Sequence, residues 1–84
     1  MFYVYLLKMS NNQLYTGYTS DLETRIKAHN NGKVKSTARR RPLKLIHYEA
    51  YLRKSDALRR EKYLKTTEGK RFLKRQIKDL LESF

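Results

Sequence analysis

The stretch from Tyr3 to Tyr18 constrains the fold more than any other. It reads Tyr3-Val4-Tyr5-Leu6-Leu7, a polar segment Ser10-Asn11-Asn12-Gln13, then Leu14-Tyr15-Thr16-Gly17-Tyr18. Aromatic and β-branched residues on both sides of an Asn-rich turn predict two paired antiparallel strands. The hairpin also concentrates four of the chain's 7 tyrosines. With 84 residues the chain has room for one domain, 1–84, so every element must share one small core. The absence of cysteine rules out a disulfide framework and a thiolate metal site. The short apolar run Phe2–Leu7 is broken by tyrosines and does not read as a signal peptide, and no run is long enough to span a membrane. The expected location is cytoplasmic.

Charge points to a partner. There are 20 Lys and Arg against 8 Asp and Glu, a formal net charge of +12. Such a charge on a small domain repels itself, and a polyanion, nucleic acid first, is the natural reason to tolerate it. The cations are unevenly spread. No acid lies between Glu23 and Glu49, while Arg25, Lys27, Lys33, Lys35, Arg39, Arg40, Arg41 and Lys44 do. Arg39-Arg40-Arg41-Pro42 has no amphipathic helical pattern, which disfavours a membrane-surface helix.

After the hairpin, Ser20 and Glu23 have capping-box spacing and start a helix expected to run to about His29 and to stop at Asn30-Asn31-Gly32. Leu22 and Ile26 define its buried stripe, and Arg25 and His29 fall on that same stripe. A buried guanidinium is costly unless an anion meets it. Lys33 to Arg41 lacks hydrophobic periodicity and reads as a basic loop closed by Pro42. Leu43 to Tyr51 is expected to be a third strand, with His47 a half-exposed member of it. Ser55 is expected to cap a second helix reaching about Lys65, with Ala57, Leu58 and Leu64 inward. Glu61 lies three residues from both Leu58 and Leu64 and so points inward with them, which calls for a cation, either a side chain such as Arg25 or a metal ion. Thr66-Thr67-Glu68 starts a third, amphipathic helix through Phe72, Leu73, Ile77, Leu80, Leu81 and Phe84, slightly weakened by Gly69. The result is an α/β fold with elements in the order β-β-α-β-α-α.

The ordered set Tyr3-Val4-Tyr5, Tyr15-Thr16-Gly17, Arg25 and Glu61 resembles the GIY-YIG nuclease superfamily, in particular its small stand-alone bacterial members, over roughly Phe2 to Leu81. The resemblance implies a three-stranded antiparallel sheet flanked by three helices, and phosphodiester hydrolysis with one divalent ion, Mg²⁺ or Mn²⁺. By position, Tyr5 and Tyr15 match the motif tyrosines, Arg25 the arginine that contacts the scissile phosphate, and Glu61 the metal-binding glutamate. His29 falls where members place a residue assisting proton transfer, and Gly17 matches the glycine permitting close approach. The sequence departs from the pattern in having Tyr3 where the motif name has Gly, Tyr18 where many members have Lys, and no Asn after Asn31.

An ion held by Glu61 and a phosphate clamped by Arg25 would account for both inward charges. The nucleophile would be water, deprotonated by Tyr5 with help from His29 or Tyr15. Gly17, Tyr18, Lys33, Lys35, Arg39, Arg40 and Arg41 are the expected contacts to nucleic acid, DNA first and RNA second. Such phosphate contacts position a protein without reading sequence, so low sequence specificity follows. The chain is expected to act as a monomer, with a protein partner supplying any targeting. The competing readings are a non-catalytic nucleic-acid-binding module and a basic protein-interaction domain. The nuclease reading requires Tyr5, Tyr15, Arg25, His29 and Glu61 to line one concave surface.

Overall fold

The computed structural model describes all 84 residues, Met1–Phe84. Strand β1 (Phe2–Lys8) turns into β2 (Leu14–Thr19), helix α1 (Leu22–Asn30) follows, and a 3₁₀ turn (Ala38–Arg40) leads to β3 (Lys44–Tyr51). Helices α2 (Lys54–Leu64), α3 (Thr67–Gln76) and the short α4 (Lys78–Glu82) complete the chain. The sheet has the order β2-β1-β3 and is antiparallel throughout. The expected three-stranded α/β architecture is therefore what forms. No helix is long and apolar enough to cross a membrane.

Because β1 is central, its side chains feed both faces of the sheet, and Val4, Tyr5, Leu6 and Leu7 are all buried. Val4 and Leu6 point to one side, where they pack with Ala57 and Leu64 of α2 and Leu73 of α3. Tyr5 and Leu7 point to the other, where Leu43 and the α1 residues Leu22 and Ile26 meet them. Strand β1 is thus clamped between two helical layers.

Several local expectations shift. The cap of α1 is Asp21 rather than a Ser20–Glu23 box: its Oδ1 accepts the Thr24 amide at 3.2 Å and its Oδ2 accepts the Thr24 hydroxyl at 2.9 Å. A small turn made by the Thr19 hydroxyl, which accepts the Asp21 amide at 3.0 Å, leaves Ser20 outside the helix. Helix α2 begins at Lys54 with no side-chain cap, placing Ser55 inside its first turn, and Leu58 is 40% exposed rather than inward. The third helix breaks at Ile77 into α3 and α4, and Phe72 lies outside the core at 54% exposure. Gly69 does not merely weaken α3. A side chain there would collide with the Tyr63 carbonyl, so the glycine is what lets α3 start against the end of α2. Thr66 secures that corner by accepting the Gly69 amide at 3.0 Å.

Candidate active site

The site is built around the Tyr5 hydroxyl. Tyr5 lies opposite Gly17 in the β1–β2 register, and its ring lies across the space a Gly17 Cβ would fill. Helix α1 brings His29 and Arg25 to the same oxygen: His29 Nε2 is 2.8 Å from it, and Arg25 Nε donates to it at 3.4 Å. Helical spacing puts these two residues on one face of α1, above the Leu22–Ile26 stripe that docks the helix. The Tyr15 ring closes the group from β2, edge-on to His29 with centroids 5.3 Å apart and 6.5 Å from the Tyr5 ring.

Burial is uneven. Tyr5 is 1% and His29 0% exposed, whereas Tyr15, Arg25 and Glu61 are half-buried. Burial pushes the Tyr5 phenol above its usual pKa, opposed by the hydrogen bond and charge of Arg25 and reinforced by Tyr15 and Glu61. Burial likewise pushes the His29 imidazole down, and the Arg25 charge adds to that. At neutral pH the pair is therefore a protonated phenol against a neutral imidazole.

Glu61 comes from the other layer, on α2, which packs against β2. Its partner is neither Arg25 nor a second carboxylate but Lys65, one helical turn on, with Nζ at 3.3 Å from its Oε2. Arg25 forms no ion pair. No group of three or more His, Cys, Asp or Glu residues is placed to hold a metal. A carboxylate is a hard oxygen donor, of the kind that Mg²⁺ and Mn²⁺ take.

Tyr5, Tyr15, Arg25 and His29 come together, and the Glu61 charge is near enough to act on the Tyr5 phenol. Two grooves, of about 810 and 750 Å³, lie away from this group. One runs between the hairpin and α3–α4, floored by Leu6, Leu73 and Ile77, and the other lies beside Tyr3 and Tyr48 at the start of α1. Tyr18 is not brought to the Tyr5 group. It pairs with Val4 and packs into the opposite cluster with Ala57 and Leu64.

The basic loop is held by a few internal contacts. Val34, Thr37 and Leu43 are buried, Asn30 accepts the Leu43 amide at 3.0 Å, and Arg40 hands its carbonyl to the Ser10 amide at 2.9 Å. Lys33, Lys35, Arg39, Arg40 and Arg41 are exposed, and none of them forms an ion pair. Two hydroxyls of this loop reach the aromatic group: Thr37 Oγ1 lies 2.7 Å from His29 Nδ1, and Ser36 donates to the Tyr15 hydroxyl at 3.4 Å. Neither residue stands out in the sequence, because both sit in an aperiodic basic run where only three-dimensional closure reveals them.

The hairpin that sets Tyr5 over Gly17, and the helix that brings Arg25 and His29 to it, lie within a stretch that matches a class of catalytic domains. The profile of the GIY-YIG catalytic domain matches residues 1–76, and the chain belongs to that family. Among curated proteins it is similar to a UPF0213 protein of Staphylococcus haemolyticus, 48% identical over 73 residues that cover 86% of this chain and 89% of the relative. It is also similar to a UPF0213 protein of Clostridium perfringens, 52% identical over 66 residues, 77% of this chain and 71% of that one. The solution NMR structure of a UPF0213 protein from Bacillus halodurans superposes with a TM-score of 0.55 at 39% identity, covering 87% of this chain and 82% of that one.

Proposed function

We propose that this protein is a metal-dependent endonuclease that hydrolyses phosphodiester bonds in DNA with low sequence specificity. One observation carries the reading: the Tyr5 hydroxyl is hydrogen-bonded to a neutral imidazole and faces a guanidinium that no carboxylate neutralises. A phenol alone is a poor base near neutral pH because it is almost fully protonated and has no affinity for a second proton. Passing its proton to His29 Nε2 leaves a phenolate able to take one from water, and the Arg25 guanidinium beside it stabilises that charge. Arg25 is also free to clamp a phosphate, which would complete its otherwise missing ion pair. Glu61 would hold a Mg²⁺ or Mn²⁺ ion, which when bound supplies positive charge at the phosphate and the leaving oxygen. Lys33, Lys35, Arg39, Arg40 and Arg41 contact flanking phosphates without reading bases. The protein acts in the cytoplasm as a monomer, and a partner protein directs it to its target.

The near-complete burial of Tyr5 and His29 favours a second reading, a nucleic-acid-binding module that keeps the nuclease fold without cutting. Incubating the purified protein with plasmid and forked DNA in Mg²⁺ or Mn²⁺ separates the two. Cleavage should appear and fall at least about a hundredfold in Arg25→Ala and in Glu61→Gln. Variants that cut as well as the parent sink the nuclease reading. Salt-sensitive binding that survives Glu61→Gln, with no product in either metal, supports the binding module.

A further inference from the structure

His29 is caught between two hydroxyls, Tyr5 Oη at 2.8 Å from Nε2 and Thr37 Oγ1 at 2.7 Å from Nδ1, with His29 and Thr37 both 0% exposed. A neutral imidazole has one N–H and one lone pair, so one nitrogen must donate and the other accept. The surroundings of each hydroxyl decide which. Thr37 Oγ1 has a second acceptor in reach, the Val34 carbonyl oxygen at 3.4 Å. Its hydrogen can go there, leaving the oxygen's lone pair to receive Nδ1–H. Tyr5 Oη faces a donor on its other side, Arg25 Nε at 3.4 Å, and no acceptor other than Nε2. Its hydrogen therefore goes to Nε2. Both ends of the chain specify the same tautomer.

We propose that Thr37 is a positioning residue of this site: its buried hydroxyl holds His29 as the Nδ1–H tautomer and so keeps Nε2 as the acceptor for the Tyr5 proton. The proton path then runs in one direction, from Tyr5 Oη to His29 Nε2, with the Nδ1–H···Thr37···Val34 chain as its fixed anchor. Without the Thr37 hydroxyl, a proton on Nδ1 would be buried without a partner, so the Nδ1–H form loses one of its two anchors and the Nε2–H form gains population against the pull of Tyr5. In that form Nε2 donates to Tyr5 and can no longer take its proton. The groups facing the ring are Tyr5 from β1, Tyr15 from β2, Arg25 from α1 and Thr37 from the loop, and Arg25 is the one charge among them.

The activity arm of the test rests on the nuclease reading, and the tautomer arm does not. Long-range ¹H–¹⁵N spectra of the full chain at neutral pH, without metal or DNA, report which ring nitrogen carries the proton. His47→Gln identifies the other imidazole's signals. The parent should show Nδ1 protonated and Nε2 bare. Thr37→Val, which keeps the shape and removes the hydroxyl, should shift His29 measurably toward Nε2–H, and Thr37→Ser should restore the parental pattern. In the DNA-cleavage assay, Thr37→Val should lower kcat about tenfold to a hundredfold, the usual effect of removing a partner that orients a functional histidine, with KM unchanged and Thr37→Ser close to the parent. A parent with Nε2–H, a Thr37→Val that keeps Nδ1–H, or a Thr37→Val with altered tautomer and undiminished kcat overturns the proposal. If Thr37→Val does not fold, the parent and Thr37→Ser spectra still decide the tautomer, and Nε2–H in either overturns it. If the parent does not cut DNA, the nuclease reading falls while the spectra still decide what Thr37 does to His29.

Discussion

Two clusters in this protein use the same residue types to opposite ends. Around Glu49, Arg60 Nε and Nη2 donate at 2.9 and 3.2 Å, the Tyr51 hydroxyl donates at 2.7 Å, and His47 Nε2 lies at 3.2 Å. Around Tyr5, a histidine and an arginine again converge on one oxygen, but no carboxylate bonds to it or pairs with the arginine. The first cluster ties β3 to α2, and through Gln76 at 3.3 Å to α3, with every charge answered. The second leaves Arg25 without an anion. A tyrosine, a histidine and an arginine in contact therefore say little about function. What separates a bolt from a candidate reaction centre is whether the charges are already satisfied.

The comparison can be broken or sharpened by substitutions in each cluster. The largest effect is expected from Tyr5→Phe, which should lower DNA cleavage by about 10²–10⁴-fold, the range for losing a positioned acid or base. Its cost to urea-induced unfolding should be only about 1 kcal/mol, from the lost hydrogen bond to His29. Glu49→Ala should do the reverse. It strands a half-buried Arg60 and should destabilise the fold by about 2–3 kcal/mol, at the lower end for broken buried pairs, while cleavage per folded molecule is unchanged. If the two variants exchanged their effects, the distinction between the clusters would collapse.

Acid should separate the clusters next. Hydrogen bonds from Arg60, Tyr51 and His47 outweigh burial and hold Glu49 below the ordinary carboxylate range. A depressed folded pKa means that its contribution to stability is full above the unfolded value of about 4.3 and disappears as pH falls through the lower folded value. The stability loss monitored by circular dichroism should shrink in Glu49→Gln. His29, pushed down by burial and then by Arg25, should stay neutral below the usual 6.5, so the acid limb of the cleavage profile should have its midpoint under that pH. A midpoint above 6.5 would mean that His29 is not the proton acceptor. The smallest effect is expected from His47→Gln, which removes one of several donors to Glu49 and should change unfolding free energy by less than about 1 kcal/mol.

The hairpin, the three-stranded sheet and the inward turn of His29 were legible because period-2 and helical spacing act over neighbouring residues. The two-sided burial of β1 was not, since Val4 to Leu7 reads as a short apolar run whichever layers cover it. Arg25 and Glu61 were legible as misplaced charges, yet the partner of Glu61 is Lys65 from its own helix, a choice that turns on side-chain reach rather than on pattern. Thr37 and the Glu49–Arg60 pair were invisible because they depend on closing a loop and on docking α2 across β3. Leu58 shows the limit of counting along a helix. Its spacing from Leu64 suggests burial, but α2 meets the sheet through Ala57 and Leu64, and Leu58 is turned aside.

The bare edge of Gly17 has one last consequence. Since the phenol occupies the volume that any larger residue at 17 would claim, these two positions form a single locus for engineering. Enlarging one obliges the other to shrink, and shrinking residue 5 discards the oxygen on which His29 and Arg25 converge. A second-site screen starting from Gly17→Ala should therefore recover folded proteins far more readily than working ones.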